Sequence, residues 1–264
     1  MAPTLTTHLV EGGDERVVFL HGLMGQGRNF RTVAKDLDDY ASSLLVDLPN
    51  HGASPHTETF DYVEMAEAVR DAIREVWPEG TVNLVGHSMG GKVAMAVALL
   101  FSDLVDRLVV VDISPVNTEN SSEFTHLLGS MKELDLSRIE RRSDADAALE
   151  DQIGSFTTRA FLLQNLTHTE SGWAWKANLD LLLDSLDVVM GFPEELHEHT
   201  FDGPVLWMAG GRSDYVQEQF RPAMEELFPR TRLVTIKGAG HWVHSEEPEV
   251  FHQTLRNFLL EKLT

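Results

Sequence analysis

Short apolar runs alternate with amphipathic segments along most of the chain. Apolar runs typical of strands buried in a parallel sheet lie at residues 16–20, 43–47, 81–85, 107–112, 205–209 and 232–236. Segments with helical periodicity separate several of these runs, and one of them leads from Asp61 to the helix-breaking Pro78. The alternation predicts an α/β fold with a mostly parallel sheet and helices on both faces.

Two of the predicted helices have clear boundaries. Asp61 followed by Glu64 matches a capping box, and the helix after it has one apolar face made of Val63, Ala66, Val69, Ile73 and Val76. The closing helix is predicted from about Pro248 to Leu263. Both would cover the sheet.

One region breaks the alternation of strands and helices. Between Pro115 and Pro204 the pattern is helical, in residues 122–134, 144–165 and 178–190, and no run is typical of a strand. We predict a core of residues 1–114 and 204–264, with a helical lid of residues 115–203 inserted over the carboxyl edge of the sheet. A structural excursion without a gating role is the alternative.

The apolar side chains of the predicted lid have two interpretations. They either line an acyl pocket, together with Met24 and Met89, or form the core of the lid itself. The residues concerned are Phe156, Phe161, Trp173, Trp175 and Phe192.

Composition narrows the function. The 264 residues suffice for one domain with a full core, and 42% hydrophobic with 24% charged residues is typical of a globular protein. The absence of cysteine excludes disulfides, thiolate metal sites and a cysteine nucleophile. A formal charge of −21 disfavours nucleic acid and anionic membrane surfaces as partners.

No targeting or membrane-spanning segment is predicted. Residues Met1–Thr7 lack the basic region and apolar run of a secretory signal, and no apolar stretch approaches the roughly 18 residues that a spanning helix needs. We therefore expect a cytoplasmic protein that acts on a small molecule.

The segment Gly86-His87-Ser88-Met89-Gly90 lies between an apolar run and an Ala-rich helical segment. A serine between two glycines at a strand-to-helix turn predicts a nucleophile elbow, because side chains at the glycine positions would collide with neighbouring backbone. Ser88 is the predicted nucleophile. The Met89 N–H, at the helix N-terminus, is a predicted donor to a developing oxyanion.

A serine nucleophile needs a base, and the base needs an orienting acid. His241, in Gly238-Ala239-Gly240-His241-Trp242 after the last predicted strand, is the expected base. Two aspartates fit the acid. Asp112 ends the strand after the nucleophile helix and Asp214 follows the next strand, so both adjoin the same edge of the sheet and the sequence geometry excludes neither.

The second oxyanion donor is expected in the loop after the first strand, His21-Gly22-Leu23-Met24-Gly25, with Leu23 as the predicted donor. No cofactor and no metal are expected. Gly25-Gln26-Gly27 resembles part of a dinucleotide fingerprint, but Phe30 stands where the third glycine belongs. His197 and His199 are two residues apart and would not share a helix face.

Taken together, five segments resemble the α/β-hydrolase superfamily, and more narrowly the YbfF-type bacterial esterases and their eukaryotic abhydrolase-domain relatives. The superfamily likeness covers essentially the whole chain. The narrower likeness implies a serine hydrolase of carboxylic esters or thioesters with short- to medium-chain acyl groups, without metal or organic cofactor. It also implies Asp112 as the acid, whereas the commoner superfamily pattern implies Asp214. The segments are His21–Gly25, Asp47–Ser54, Gly86–Lys92, Val111–Pro115 and Gly238–His244.

Three other functions remain open on the same residues. An acyltransferase would pass the acyl group from Ser88 to an alcohol, which a dry, covered site favours. A carbon–carbon bond hydrolase would use the same three side chains. A binding protein on this scaffold would not react at all.

Overall fold

The computed structural model describes residues 3–118 and 121–261, and its centre is a six-stranded sheet. The strand order is β2-β1-β3-β4-β7-β8, and every neighbouring pair is parallel. Strands β5 and β6 form a separate antiparallel pair. The strands are β1 (Thr7–Leu20), β2 (Ala41–Val46), β3 (Val82–His87), β4 (Val105–Val111), β5 (Leu166–Thr169), β6 (Gly172–Trp175), β7 (Val205–Gly210) and β8 (Thr231–Ile236).

Helices cover both faces of this sheet, as the sequence predicts. One core cluster combines Val18 and Leu20 of β1 with apolar residues of α2 and α3, and the other combines Val17 and Phe19 with residues of α1 and α11. The alternation arises because successive side chains of a strand point to opposite faces. The helices are α1 (Arg31–Asp36), α2 (Tyr62–Val76), α3 (Met89–Leu100), α4 (Ser122–Glu133), α5 (Arg142–Leu149), α6 (Phe156–Leu162), α7 (Leu179–Asp184), α8 (Leu186–Met190), α9 (Arg221–Leu227), α10 (Val243–Glu246) and α11 (Pro248–Leu260).

The predicted cap of α2 forms only in part. The Asp61 carboxylate accepts hydrogen bonds from the backbone N–H groups of Val63 (2.8 Å) and Glu64 (2.9 Å). The Glu64 carboxylate accepts from the Thr59 hydroxyl at 3.3 Å. α11 ends at Leu260, and Leu263, where the prediction ended, lies outside the described residues.

The prediction that residues 115–203 contain no strand is wrong. Strands β5 and β6 pair there, with Leu166 opposite Trp175, and Gly172 adopts φ +113° after the turn between them. The helix predicted at 144–165 is also wrong, because it is divided into α5, α6 and a 3₁₀ turn at Leu163–Asn165. The one predicted at 178–190 is divided into α7 and α8 at Ser185.

Residues 115–203, called the insert below, join β4 to β7 and are hydrogen-bonded to several core elements. The hydroxyl of Tyr62 in α2 donates to the Val189 carbonyl at 2.7 Å. The Asn178 N–H donates to the Asn50 carbonyl at 3.0 Å.

Within residues 3–118 and 121–261, no helix combines the length and the apolar character needed to cross a membrane.

Candidate active site

Ser88 lies at the sharp turn between β3 and α3, with φ +53° and ψ −121°. A left-handed non-glycine residue costs about 1–3 kcal/mol, so the surrounding structure must hold it in place. The flanking glycines are required by contact. A Cβ on Gly86 would come within 2.2 Å of the Gly90 carbonyl oxygen, and one on Gly90 within 2.4 Å of the His21 carbonyl oxygen.

His241 lies between β8 and α10, in a loop that returns over the edge of the sheet. Its Nε2 is 2.9 Å from the Ser88 Oγ, within hydrogen-bond distance. The ring of Tyr215 lies against the imidazole at a centroid distance of 4.4 Å, and Phe124 of the insert is 6.3 Å away. The ring is therefore held between aromatic neighbours.

Asp112 follows β4 directly and is completely buried, with φ +52°. Its Oδ2 is 2.8 Å from His241 Nδ1, and its Oδ1 accepts a hydrogen bond from the Gly210 N–H at 2.8 Å. The Ser213 hydroxyl also donates to Oδ2. These three hydrogen bonds fix the orientation of the carboxylate.

Asp214, the other candidate acid, is exposed. Its backbone carbonyl accepts a hydrogen bond from the Gln217 side chain at 3.0 Å. Among the described residues, its carboxylate makes no hydrogen bond with His241. The structure therefore brings Asp112, and not Asp214, to the imidazole.

The loop after β1 lies beside the serine. A Cβ placed on Gly22 would be 3.2 Å from the Ser88 Cβ, and the Gly25 N–H donates to the Gly22 carbonyl at 2.9 Å to close a turn. Within the described parts of the chain, neither the Leu23 N–H nor the Met89 N–H has a protein acceptor. Both N–H groups are therefore available to an incoming oxygen.

The histidine at the start of that turn is neutral. His21 Nδ1–H donates to the Gly22 carbonyl at 2.8 Å, and its Nε2 accepts from the Leu48 N–H at 3.0 Å. Burial lowers the pKa of His21 to about 4. The two bonds fix one tautomer and one ring orientation.

Two further histidines surround His241 without carrying charge. His87 Nε2–H donates to the His241 carbonyl at 2.8 Å, and burial holds the pKa of His87 well below its ordinary value. Burial also lowers the pKa of His244 to about 4. Both rings are therefore neutral at pH 7.

A groove of about 700 Å³ lies between α6 of the insert and the loop after His241. A second cavity of about 20 Å³, lined by Gly22 and Leu23, adjoins this groove. Phe161 and Trp242, whose rings are 6.2 Å apart, are among the residues that line both. The aromatic residues of the insert therefore divide between the two interpretations. Phe156 is 68% exposed, whereas Phe161 lines the groove and also packs against the core. Trp173 and Trp175 pack against the core, and Phe192 belongs to it.

Comparison with known proteins agrees with this geometry. A family model described as "alpha/beta hydrolase fold" matches residues 15–248, most of the chain. The chain belongs to the alpha/beta hydrolase fold family. The predicted membership of the α/β-hydrolase superfamily is confirmed.

Three relatives of this family member cover nearly all of it. The "sn-1-specific diacylglycerol lipase ABHD11" of Mus musculus is 39% identical over 249 residues, 92% of this chain and 80% of the relative. The "Esterase YbfF" of Escherichia coli is 33% identical over 92% of both chains. A solved "Marine microorganism esterase" is 33% identical, with a TM-score of 0.90 over 97% of this chain and 99% of the other.

These similarities confirm the enzyme class expected of this hydrolase-family chain, an ester hydrolase. They leave open which ester it cleaves and which residues act. Among the described residues, no group of three or more His, Asp or Glu side chains is arranged to hold a metal ion.

Two contacts near the hydrolase elbow escaped the sequence-based prediction. Lys92 in α3 is buried, and its ammonium donates to the carbonyls of Met190 (2.7 Å) and Gly191 (2.6 Å) in the insert. Burial lowers the pKa of Lys92 to about 7. Asn165 of the insert donates to the Met24 carbonyl at 2.6 Å. A charged side chain on the apolar helix α3 was the only sequence signal for the Lys92 contact, and no local signal pointed to the Asn165 contact.

Proposed function

We propose that this chain hydrolyses uncharged carboxylic esters through an acyl-enzyme, with Ser88 as nucleophile, His241 as general base and Asp112 as the orienting acid. One observation carries the proposal: the hydrogen-bonded chain from Ser88 Oγ through both nitrogens of His241 to a buried Asp112 carboxylate. Such a chain activates a hydroxyl that is otherwise a weak nucleophile at neutral pH.

In the acylation step, Ser88 Oγ attacks the carbonyl carbon of the ester while its proton moves to His241 Nε2. Asp112 stabilises the resulting imidazolium by accepting from Nδ1–H. The carbonyl oxygen becomes an oxyanion, which accepts hydrogen bonds from the Leu23 and Met89 N–H groups. Collapse of the tetrahedral intermediate breaks the bond to the alcohol oxygen, and His241 gives its proton to that oxygen.

Deacylation repeats these steps with water. His241 Nε2 takes a proton from the attacking water, the same two N–H groups hold the second oxyanion, and Ser88 Oγ leaves with the proton returned by His241. The imidazoles of His87 and His244 beside His241 stay neutral at pH 7, because burial lowers the pKa of both.

The groove supports an uncharged substrate. Its described lining includes Glu246 but no lysine or arginine, and the chain carries a formal charge of −21. A phosphate-bearing thioester would therefore be repelled rather than held. Because the groove adjoins the small cavity that Gly22 and Leu23 line beside Ser88, we assign the groove to the acyl chain. Its volume suits a chain of short to medium length.

Filling the groove tests this assignment. Ala160 is exposed on α6 and lines the groove. Ala160→Trp is expected to lower kcat/KM for p-nitrophenyl octanoate at least about tenfold. A loss of this size corresponds to the burial free energy of about two methylenes at ~0.8 kcal/mol each. For p-nitrophenyl acetate, whose acyl group is too short to reach the groove, we expect a change of less than about twofold.

The matched control is Ala148→Trp, the same change at an exposed alanine of the neighbouring helix α5. It should leave both substrates unaffected. Equal losses of kcat/KM with acetate and octanoate in Ala160→Trp would show that the groove does not bind the acyl chain. Faster wild-type turnover of an acyl-coenzyme A thioester than of octanoate would overturn the preference for uncharged esters.

Product analysis distinguishes the other hypotheses from hydrolysis. An acyltransferase would form the new ester in proportion to added alcohol, and a binding protein would release no p-nitrophenol. No comparison favours either over hydrolysis. We also propose that the insert, residues 115–203, acts as a lid on a core of residues 1–114 and 204–264. The cytoplasmic location stays a prediction.

A further inference from the structure

The insert reaches the loop that carries the Leu23 N–H through two adjacent side chains. Asn165, on the 3₁₀ turn after α6, is 1% exposed, and its Nδ2 donates to the carbonyls of Met24 (2.6 Å) and Leu162 (3.2 Å). Gln164 Oε1 accepts from the side-chain amide of Asn29 at 2.7 Å. The insert is therefore bonded to the turn itself at Met24 and to the segment after the turn at Asn29.

The orientation of the Asn165 amide follows from its partners. Both acceptors are backbone carbonyl oxygens, so only the NH₂ end of the amide can face them favourably. Oδ1 has no hydrogen-bond partner among the described residues although it is buried. A buried amide with one end unsatisfied is costly. Of the two carbonyls that Asn165 bonds, that of Met24 lies in the loop that carries the Leu23 N–H.

The turn held by this bond needs support. Met24 occupies its third position with φ +61°, a conformation that favours glycine. The Gly25 N–H and the His21 ring secure the Gly22 carbonyl, but Asn165 is the described side chain that secures the Met24 carbonyl. The Met24 carbonyl and the Gly25 N–H belong to one peptide unit, so loss of the Asn165 bond would free that unit to rotate and would weaken the Gly25 N–H bond to the Gly22 carbonyl. The Gly22 carbonyl and the Leu23 N–H also share one peptide unit, so the direction of the Leu23 N–H would change with it.

We infer that Asn165 is a positioning residue for the oxyanion hole: by donating to Met24 it holds the Leu23 N–H in its productive direction, so that this half of the hole is complete only when the insert is seated. The inference rests on the proposed function. It assigns to the insert a role in the chemical step, in addition to covering the site.

The decisive variant is Asn165→Asp, which keeps the shape but, in its ionised form, places an oxygen that cannot donate against the Met24 carbonyl. For p-nitrophenyl acetate we expect kcat to fall about 10- to 100-fold with KM changed less than about twofold, since loss of a whole oxyanion donor costs a factor of ~10²–10³. Affinity for phenylboronic acid, which forms a tetrahedral adduct, should fall in parallel. Asn165→Ala should show a smaller loss of both.

The matched control is Asn178→Asp. Asn178 also bridges the insert and the core, through its Nδ2 bond to the Asn50 Oδ1 at 3.1 Å, but it does not contact the oxyanion loop. It should leave kcat within about twofold. If the Asn165 variants do not fold, Gln164→Ala, an exposed position, must show the same pattern at a few-fold amplitude.

The inference is overturned if folded Asn165 variants keep wild-type kcat, if kcat falls without a matching loss of boronic acid affinity, or if Asn178→Asp loses as much. The proposed function is judged separately. Wild-type activity that disappears in Ser88→Ala would support it even where the Asn165 inference fails.

Discussion

Replacing Ser88 by alanine is expected to lower kcat/KM for p-nitrophenyl acetate by a factor of about 10⁵ or more. The hydroxyl supplies the bond to the acyl group, and nothing else at the turn can do so. Alanine suits the backbone as well as serine does at φ +53°, so the thermal unfolding midpoint should change little. Initial rates over a range of substrate concentrations, with the midpoint from circular dichroism, measure both quantities.

Ser43→Ala is a matched control for this variant. Ser43, on β2, is completely buried and its hydroxyl has no hydrogen-bond partner among the described residues. The change removes the same atom from the same protein without touching the site, and activity should be unchanged. A Ser88→Ala enzyme retaining a tenth of wild-type activity would exclude Ser88 as the nucleophile.

The second large effect is expected at Asp112. Asp112→Asn should lower kcat about 10⁴-fold, because an amide in place of the carboxylate favours the imidazole tautomer that carries its proton on Nε2. That nitrogen then faces Ser88 as a donor and cannot accept the serine proton. The bond from the Gly210 N–H to Oδ1 can persist in the variant, which limits structural change.

Asp214→Asn is the companion measurement, because this residue is the other aspartate that the sequence allows. Its exposed carboxylate lies outside the hydrogen-bonded chain, so we expect kcat within about threefold of wild type. The reverse order of effects, with Asp214→Asn the more damaging, would transfer the role of the acid to Asp214.

The choice between Asp112 and Asp214 shows why the sequence alone identified the site only in part. Asp112 and Asp214 follow β4 and β7, which are paired neighbours in the sheet, so strand order alone brings both to one edge. Contacts across large sequence separations distinguish them. The Gly210 N–H that binds Asp112 is 98 positions away, and the His241 ring is 129 positions away. The elbow was predictable because its steric requirement is local.

The insert was predicted less well for a related reason. Strands β5 and β6 have four residues each, too few for a period of two to stand out from helical periodicity. Their pairing, rather than their composition, defines them. Asn165 carries no local signal either, because its partner Met24 is 141 positions away. In contrast, the apolar runs of the core predicted the six strands of the parallel sheet, although β1 begins at Thr7 instead of Arg16.

The central claim is that Ser88 carries the acyl group, and a covalent label tests it most directly. A p-nitrophenyl alkylphosphonate should release one p-nitrophenol per wild-type chain and leave a stable adduct, which peptide mass spectrometry should locate on Ser88. Ser88→Ala should neither release p-nitrophenol nor gain mass. An adduct on any other residue, or equal labelling of Ser88→Ala, would contradict the account.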